Sequence, residues 1–214
     1  TQAEVQAMIT AVNASYCTGS ATTIVDVVST TGKTWMDRNL GATQQATSSA
    51  DADAYGDIYQ WGRLRDGHQC RTSGTTTTLS TTDTPGHGDF IVTSISPFDW
   101  RSPQNDNLWQ GVSGVNNPCP SGYRLPTDPE WEDERTTDFT SNNAAGAFGG
   151  SLKLPLPGLR LFTTGALSQL GVRGYYWSST TNGIYIRFLN FSSSGAGMVD
   201  GSRSTGYTVR CIKN

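Results

Sequence analysis

The dipeptide Asn182-Gly183 limits what this chain can fold into more than any other feature, because the runs on either side of it both read as strand. Before it stands Tyr175-Tyr-Trp-Ser-Ser-Thr-Thr, and after it Ile184-Tyr-Ile-Arg-Phe, each rich in aromatic and β-branched residues. Asn and Gly accept the positive φ angles that a tight two-residue turn needs, so the segment predicts a β-hairpin. The closing run Tyr207-Thr-Val-Arg-Cys-Ile-Lys reads as a further strand. Between them, residues 192–205 are small and polar apart from Met198 and Val199. That mixture fits a surface that binds something, with the side chains of Tyr185, Phe188, Phe191 and Tyr207 as rigid contact groups. Taken one at a time, the same residues also fit the inward faces of ordinary strands.

Composition narrows the function classes. At 214 residues the chain is one large or two small domains, long enough to bury a core. Hydrophobic residues make up only 35%, and 24 glycines accompany abundant Ser and Thr, which favours short strands and many turns over a helical fold. A net charge of −3 supplies no basic field for nucleic acid and no polybasic membrane patch. No run approaches the roughly 18 apolar residues of a spanning helix. The chain opens at Thr1 with no signal peptide, so such a segment is expected to have been removed or never present. Cys17, Cys70, Cys119 and Cys211 lie far apart without a C-x-x-C pair, which argues against zinc. One or two disulfides in an oxidising setting, or four free thiols, remain open at this point.

Along the chain, Val5, Met8, Ile9 and Val12 form the stripe of an amphipathic helix over 2–14, packing on the body of the domain or on a second copy. Residues 1–21 are thus an N-terminal helix and connector, and 22–214 the domain proper. Thr22 to Thr30 reads as strand, Thr31-Gly32 as a turn, and Lys33 to Asn39 as the partner strand. Gly41 to Pro97 is loop-like with apolar islands at Ile58 to Trp61 and Phe90 to Val92, and Thr72 to Thr82 is low in complexity. Asp51, Asp53 and Asp57 are spaced like part of a calcium loop. Tyr55 and Gly62 stand where ligands are needed, so solvated loop carboxylates are expected, and no metal or other cofactor. Residues 98–118 read as loops pinned by the indoles of Trp100 and Trp109. Thr127 and Glu130 make a capping box with Pro129 in the first turn, predicting a helix from there to about Phe139. Gly146 to Gly150 reads as a flexible break, and Leu152 to Phe162 as extended chain at an edge or in irregular β.

Catalysis has little to stand on. His68 and His87 are the only histidines, no Ser occupies a Gly-x-Ser-x-Gly elbow, and the carboxylates form no assignable pair, so the chain is not expected to be an enzyme.

Arg124-Leu-Pro-Thr127 followed by Glu130-Trp131, ahead of Gly206-Tyr-Thr-Val-Arg-Cys211, resembles the formylglycine-generating-enzyme branch of the C-type lectin fold. The sequence is closer still to the bacterial major paralogous domain first noted in a fibre-degrading bacterium. That likeness runs through Thr31-Gly-Lys-Thr-Trp-Met-Asp-Arg-Asn-Leu-Gly41, Gly56-Asp-Ile-Tyr-Gln-Trp-Gly62, Cys119-Pro-Ser-Gly-Tyr-Arg-Leu-Pro126 and Tyr176-Trp-Ser-Ser179, and spans about 22–214. It implies an α+β, C-type lectin-like fold with short antiparallel strands, few helices and long irregular loops.

Some members of that family look like the variable proteins of diversity-generating retroelements, in which adenine-directed mutagenesis rewrites codons near the C-terminus. Carried over, this resemblance marks a ligand-binding segment at about 167–210. Its contact residues would be Tyr175, Ile184, Tyr185, Phe188, Phe191, Gly195, Gly197, Val199, Asp200, Gly201, Ser202, Ser204 and Tyr207. Trp177, Arg203, Gly206, Val209 and Cys211 would be scaffold, with a Cys119–Cys211 bridge tying the central motif to the last strand. The implied function is that of an extracellular binding protein on a virion or cell surface, meeting a protein ligand or receptor on a host or neighbouring cell. Glycans are less favoured, since no Glu-Pro-Asn or Gln-Pro-Asp tripeptide is present. Oligomeric state stays open. A non-variable adhesive or structural envelope module is the alternative. An oxidase of the formylglycine-generating type is remote, because that chemistry needs a pair of nearby C-terminal cysteines and only Cys211 follows Cys119.

Overall fold

The computed structural model describes Cys17 and residues 22–214. The helix expected over 2–14, the rest of the connector and the packing considered for it lie outside the described residues. The strands are β1 (Asp26–Val28), β2 (Thr34–Met36), β3 (Tyr59–Gln60), β4 (Thr75–Thr76), β5 (Phe90–Ile91), β6 (Tyr123–Arg124), β7 (Leu159–Arg160), β8 (Leu167–Ser168), β9 (Gly174–Asn182), β10 (Tyr185–Ser192), β11 (Gly195–Gly201), β12 (Gly206–Tyr207) and β13 (Ile212–Lys213). Among the described residues two α-helices, α1 (Asp128–Thr137) and α2 (Ala144–Gly149), interrupt them.

The strands form sheets of order β1-β2-β13-β6, β11-β10-β9 and β3-β12-β7-β8, all antiparallel, plus a two-stranded parallel pair β4-β5 that the expectation of antiparallel strands did not include. At this level the α+β reading holds: small, mostly antiparallel sheets with few helices.

The predicted hairpin forms, but its two-residue turn is Gly183-Ile184 rather than Asn182-Gly183: Gly183 takes φ +57°, while Asn182 stays in extended β9 and pairs with Tyr185. Both faces of the resulting sheet are packed. On one face Trp177, Ile186 and Phe188 join Tyr207 and Trp61 in one core cluster. On the other Tyr176, Leu189 and Phe191 meet Trp131 of α1 and Ala147 of α2 in a second. Indole N–H groups fix the loops to this sheet. Trp177 donates to Tyr59 O (2.8 Å), Trp61 to Ser178 O (3.0 Å), Trp131 to Trp177 O (3.0 Å) and Trp100 to Trp61 O (2.6 Å). Each buried ring adds roughly 1.5–3 kcal/mol of apolar burial, and its one donor keeps irregular backbone in place.

Helix α1 starts at the predicted capping box: Thr127 Oγ1 accepts from Glu130 N, and the Glu130 carboxylate accepts from Thr127 N at 2.8 Å. Its far end grips the β1–β2 turn, Glu134 accepting from Ser29, Thr31 and Trp35, and Asp138 from Thr30. Disulfides join Cys119 to Cys211 and Cys17 to Cys70, with Cα separations of 5.9 and 5.2 Å. Closing a 92-residue separation stabilises by about 4–5 kcal/mol in the chain-entropy account.

Three expectations are corrected. The break expected at Gly146 to Gly150 is occupied by α2 instead. Asn143 caps that helix, and Gly146 is needed because a Cβ there would sit 1.8 Å from Ser141 O. Asp57 is buried rather than solvated: it is packed under Gly41, where a Cβ would meet its Cγ at 2.3 Å, and burial pushes its carboxyl up to about 6. Finally, β7 is paired on both sides, by β12 and β8, because Pro155 and Pro157 fall in the irregular chain just before it.

Candidate functional site

Two turns set the geometry of the C-terminal sheet. The β9–β10 turn is pinned from outside by Gln104 Nε2, which donates to Ile184 O at 3.2 Å, and by Arg203 Nη2, which donates to Gly183 O at 3.3 Å. Arg203 is itself buried, stacked 5.0 Å from the Trp61 ring centre, bonded to Asp106 and 3.8 Å from Asp99. Burial drives the Asp99 carboxyl up to about 6 despite that arginine. A bulge in β9, where Ser178 to Thr180 stand opposite the single residue Arg187 and Ser178 Oγ donates to Arg187 O at 2.6 Å, shifts the register of β9 against β10. The second turn, Ser193-Ser194, leads into β11, which pairs with β10 in unbroken register from Ser192↔Gly195 to Ile186↔Gly201.

The thirteen residues marked by resemblance divide sharply. Ile184, Tyr185, Val199 and Asp200 are exposed, the first three at 40, 38 and 43%. Gly195, Gly197 and Ser202 are half-buried. A Cβ built at Gly195 or Gly197 meets no atom within 4 Å, so both positions open into free space.

Six residues are corrected from contact group to core. Phe188 packs on Tyr207 (4.5 Å between ring centres) and Trp177 (6.0 Å). Phe191 stacks on Tyr176 at 5.5 Å and meets Phe139 at 6.0 Å. Tyr207 is 6% exposed and stacks at 5.1 Å on Tyr175, which is 9% exposed. Gly201 is closed in, since a Cβ there would lie 2.8 Å from the Phe188 ring and 3.1 Å from Tyr207. Ser204 is fully buried where its backbone crosses two loops, its N–H donating to Phe98 O and its carbonyl accepting from Gln60 Nε2. One cause is common to the rings: the sheet is covered on both faces, so alternation no longer separates inside from outside. Trp177, Arg203, Gly206, Val209 and Cys211 are all buried.

The sequence did not point to the polar groups that surround the exposed set. Arg187 reaches from β10 to Asp128 of α1 at 2.9 Å and to Asp200 at 3.4 Å, and Asn182 Nδ2 donates to both oxygens of Asp200 at 3.1 Å. Arg187 and Asn182 lie inside the hairpin, where their facing could have been read from the strand period. Gln104, eighty residues from Ile184, gave no local signal. Beside Gln104 a cleft of about 350 Å³ is lined by Leu79, Ile95, Pro97 and Pro103, and Ile95 is 70% exposed.

Of the two histidines, His68 is a core residue. His68 is fully buried, and burial drives its ring down to about 4, so at neutral pH it is uncharged. It accepts from Gln60 N at 3.1 Å through Nε2 and bonds Asp66 at 2.6 Å through Nδ1, a structural link. Among the described residues no group of three or more His, Cys, Asp or Glu side chains is placed to hold a metal ion. The two disulfides point to an oxidising environment. No helix among the described residues is long and apolar enough to cross a membrane. Comparison of the chain with protein-family models, with curated proteins and with solved structures finds no match.

Proposed function

We propose that this chain is a ligand-binding surface protein of C-type lectin-like fold, displayed outside the cell on a virion or cell surface, whose outer C-terminal strand and hairpin turn carry replaceable contacts for a protein partner. The observation that carries this reading is the separation of replaceable from irreplaceable positions within one sheet. Gly195 and Gly197 have open space above them, and Ile184, Tyr185, Val199 and Asp200 face outward. The neighbouring strand β10 is locked by rings on both faces. Recognition residues can be exchanged where the backbone beneath them is fixed by other contacts. The replaceable set narrows to Ile184, Tyr185, Gly195, Gly197, Val199, Asp200 and Ser202, the pattern of a retroelement variable protein acting on part of its segment. The two bridges support an extracellular setting.

A second reading, the non-variable adhesive or envelope module, is favoured by one observation. Tyr175, Phe188, Phe191, Gly201, Ser204 and Tyr207 are core, and rewriting them would unfold the domain. The encoding DNA separates the two. A near-identical template repeat beside a reverse-transcriptase gene, differing only at template adenines and only in the seven outward codons, is the expected finding; its absence selects the second reading. In the test tube, a library randomised at those seven positions should stay protease-resistant in most members and yield binders to a purified model protein such as lysozyme. A library that mostly unfolds overturns the proposal.

A further inference from the structure

Strand β11 is the edge of its sheet, and among the described residues no strand pairs with its outer side. In β9, Trp177 N donates to Thr208 O (3.0 Å) and Tyr175 O accepts from Thr208 N (3.1 Å), so these two residues point away from β10. Their β10 partners Phe188 and Asn190 therefore point towards β11, where they pair with Val199 and Gly197. The alternation leaves the N–H and C=O groups of Ala196, Met198 and Asp200 directed outward. Among the described residues no donor or acceptor meets them. Sheet edges in stable proteins are blunted by Pro, by Lys, by bulges or by brevity. β11 reads Gly-Ala-Gly-Met-Val-Asp-Gly, is seven residues long and keeps an unbroken register.

We propose that β11 is the docking rail for an extended segment of a basic partner protein, which adds to the sheet as a further strand. The proposal rests on reading this segment as a recognition surface and names the partner's chemistry. Backbone bonds to the three outward residues would supply affinity, and side chains on alternate sides specificity. On one side the open places at Gly195 and Gly197 call for aromatic or β-branched residues, which fill gaps beside edge glycines. On the other side Asp200 and Asp128 of α1 share the single guanidinium of Arg187, and the one negative charge left unbalanced there calls for lysine or arginine. A second copy of this chain fits poorly: it would bring two such carboxylate pairs together and set small side chains against small ones.

The test uses extended peptides that alternate lysine with tyrosine or valine, and the same peptides with glutamate for lysine. The lysine peptides should bind and slow hydrogen exchange at the amides of Ala196, Met198 and Asp200, and the glutamate peptides should not. Ala196→Pro removes one outward N–H without touching the β10 ladder, and should weaken binding by about tenfold or more at an unchanged melting temperature. Asp200→Lys, which leaves the backbone intact, should reverse the preference between the two peptide sets. Peptides that bind with those amides still exchanging, and with Ala196→Pro unaffected, overturn the rail and leave the recognition reading standing. If no peptide binds while the randomised library still yields lysozyme binders, the partner chemistry alone is overturned. If neither binds, both fall. Dimerisation of the free protein with the same amides protected would place a second copy there and overturn the proposal.

Discussion

Strands β10 and β11 run side by side in one sheet, yet β10 is closed in on both faces while β11 packs Ala196 and Met198 on one face and is largely open on the other. Phe188 and Phe191, on opposite faces of β10, are both enclosed, one by Trp177 and Tyr207 and the other by Tyr176 and Phe139. One strand further out, Val199 is exposed and two glycines look into empty space. Residue type does not explain the difference, since both strands mix small and large groups. Place in the sheet explains it: a middle strand is held by both neighbours and both layers, whereas an edge strand has a neighbour on one side only.

The comparison can be broken or sharpened by substitution. Replacing Cys119 and Cys211 together with Ser releases the tail from the central loop and should cost about 4–5 kcal/mol, read as a shift in denaturant midpoint. An unshifted midpoint would mean that the middle strand is held without it. Phe188→Ala or Phe191→Ala should cost about 3–5 kcal/mol, the range for emptying a ring-sized site in a closed core. A loss under about 1 kcal/mol would erase the distinction between the strands.

The core should also carry a pH response of its own. The folded pKa of His68, about 4, lies below its ordinary 6.5, so the folded state lacks a proton that the unfolded chain binds. Its contribution is therefore complete above about 6.5 and fades as pH falls towards 4, by up to about 3 kcal/mol. Relative to His68→Asn, the wild type should lose that much on acidification. Asp57 and Asp99, both held near 6 by burial, act in the opposite direction and are common to both proteins. Equal acid profiles would remove the buried-histidine account. Smallest of all, Gly195→Ser and Gly197→Ser should move stability by no more than about 0.5 kcal/mol in thermal melts, because their Cβ positions are open. A loss of several kcal/mol would show that the outer strand is not a free surface.

What the residues announced in advance were the local devices. The Thr127–Glu130 box and the positive-φ glycine of the β9–β10 turn each depend on neighbours in sequence, and each was legible there. Contacts set by distant chain were not. Gln104 meets Ile184, Asp99 faces Arg203, and Ser204 crosses Phe98 only because the fold brings them together. The aromatic residues of the tail misled for a related reason. A ring suits a contact surface and a core equally well, and only the second layer of packing, supplied by α1, α2 and the loops beyond the sheet, decides between them. The stretch at Gly146 failed differently: glycine there serves close approach to Ser141, which composition alone reads as slackness.

Strand β13 follows the outward-facing segment along the chain and lies between β2 and β6 in the middle of their sheet, with Cys211 bonded just before it. A ribosome must therefore translate every codon of the outward-facing stretch, in frame, before the β1-β2-β13-β6 sheet can be completed. Any stop codon or frame slip in that stretch deletes or scrambles the strand that joins β2 to β6 and the cysteine that closes the bridge to Cys119.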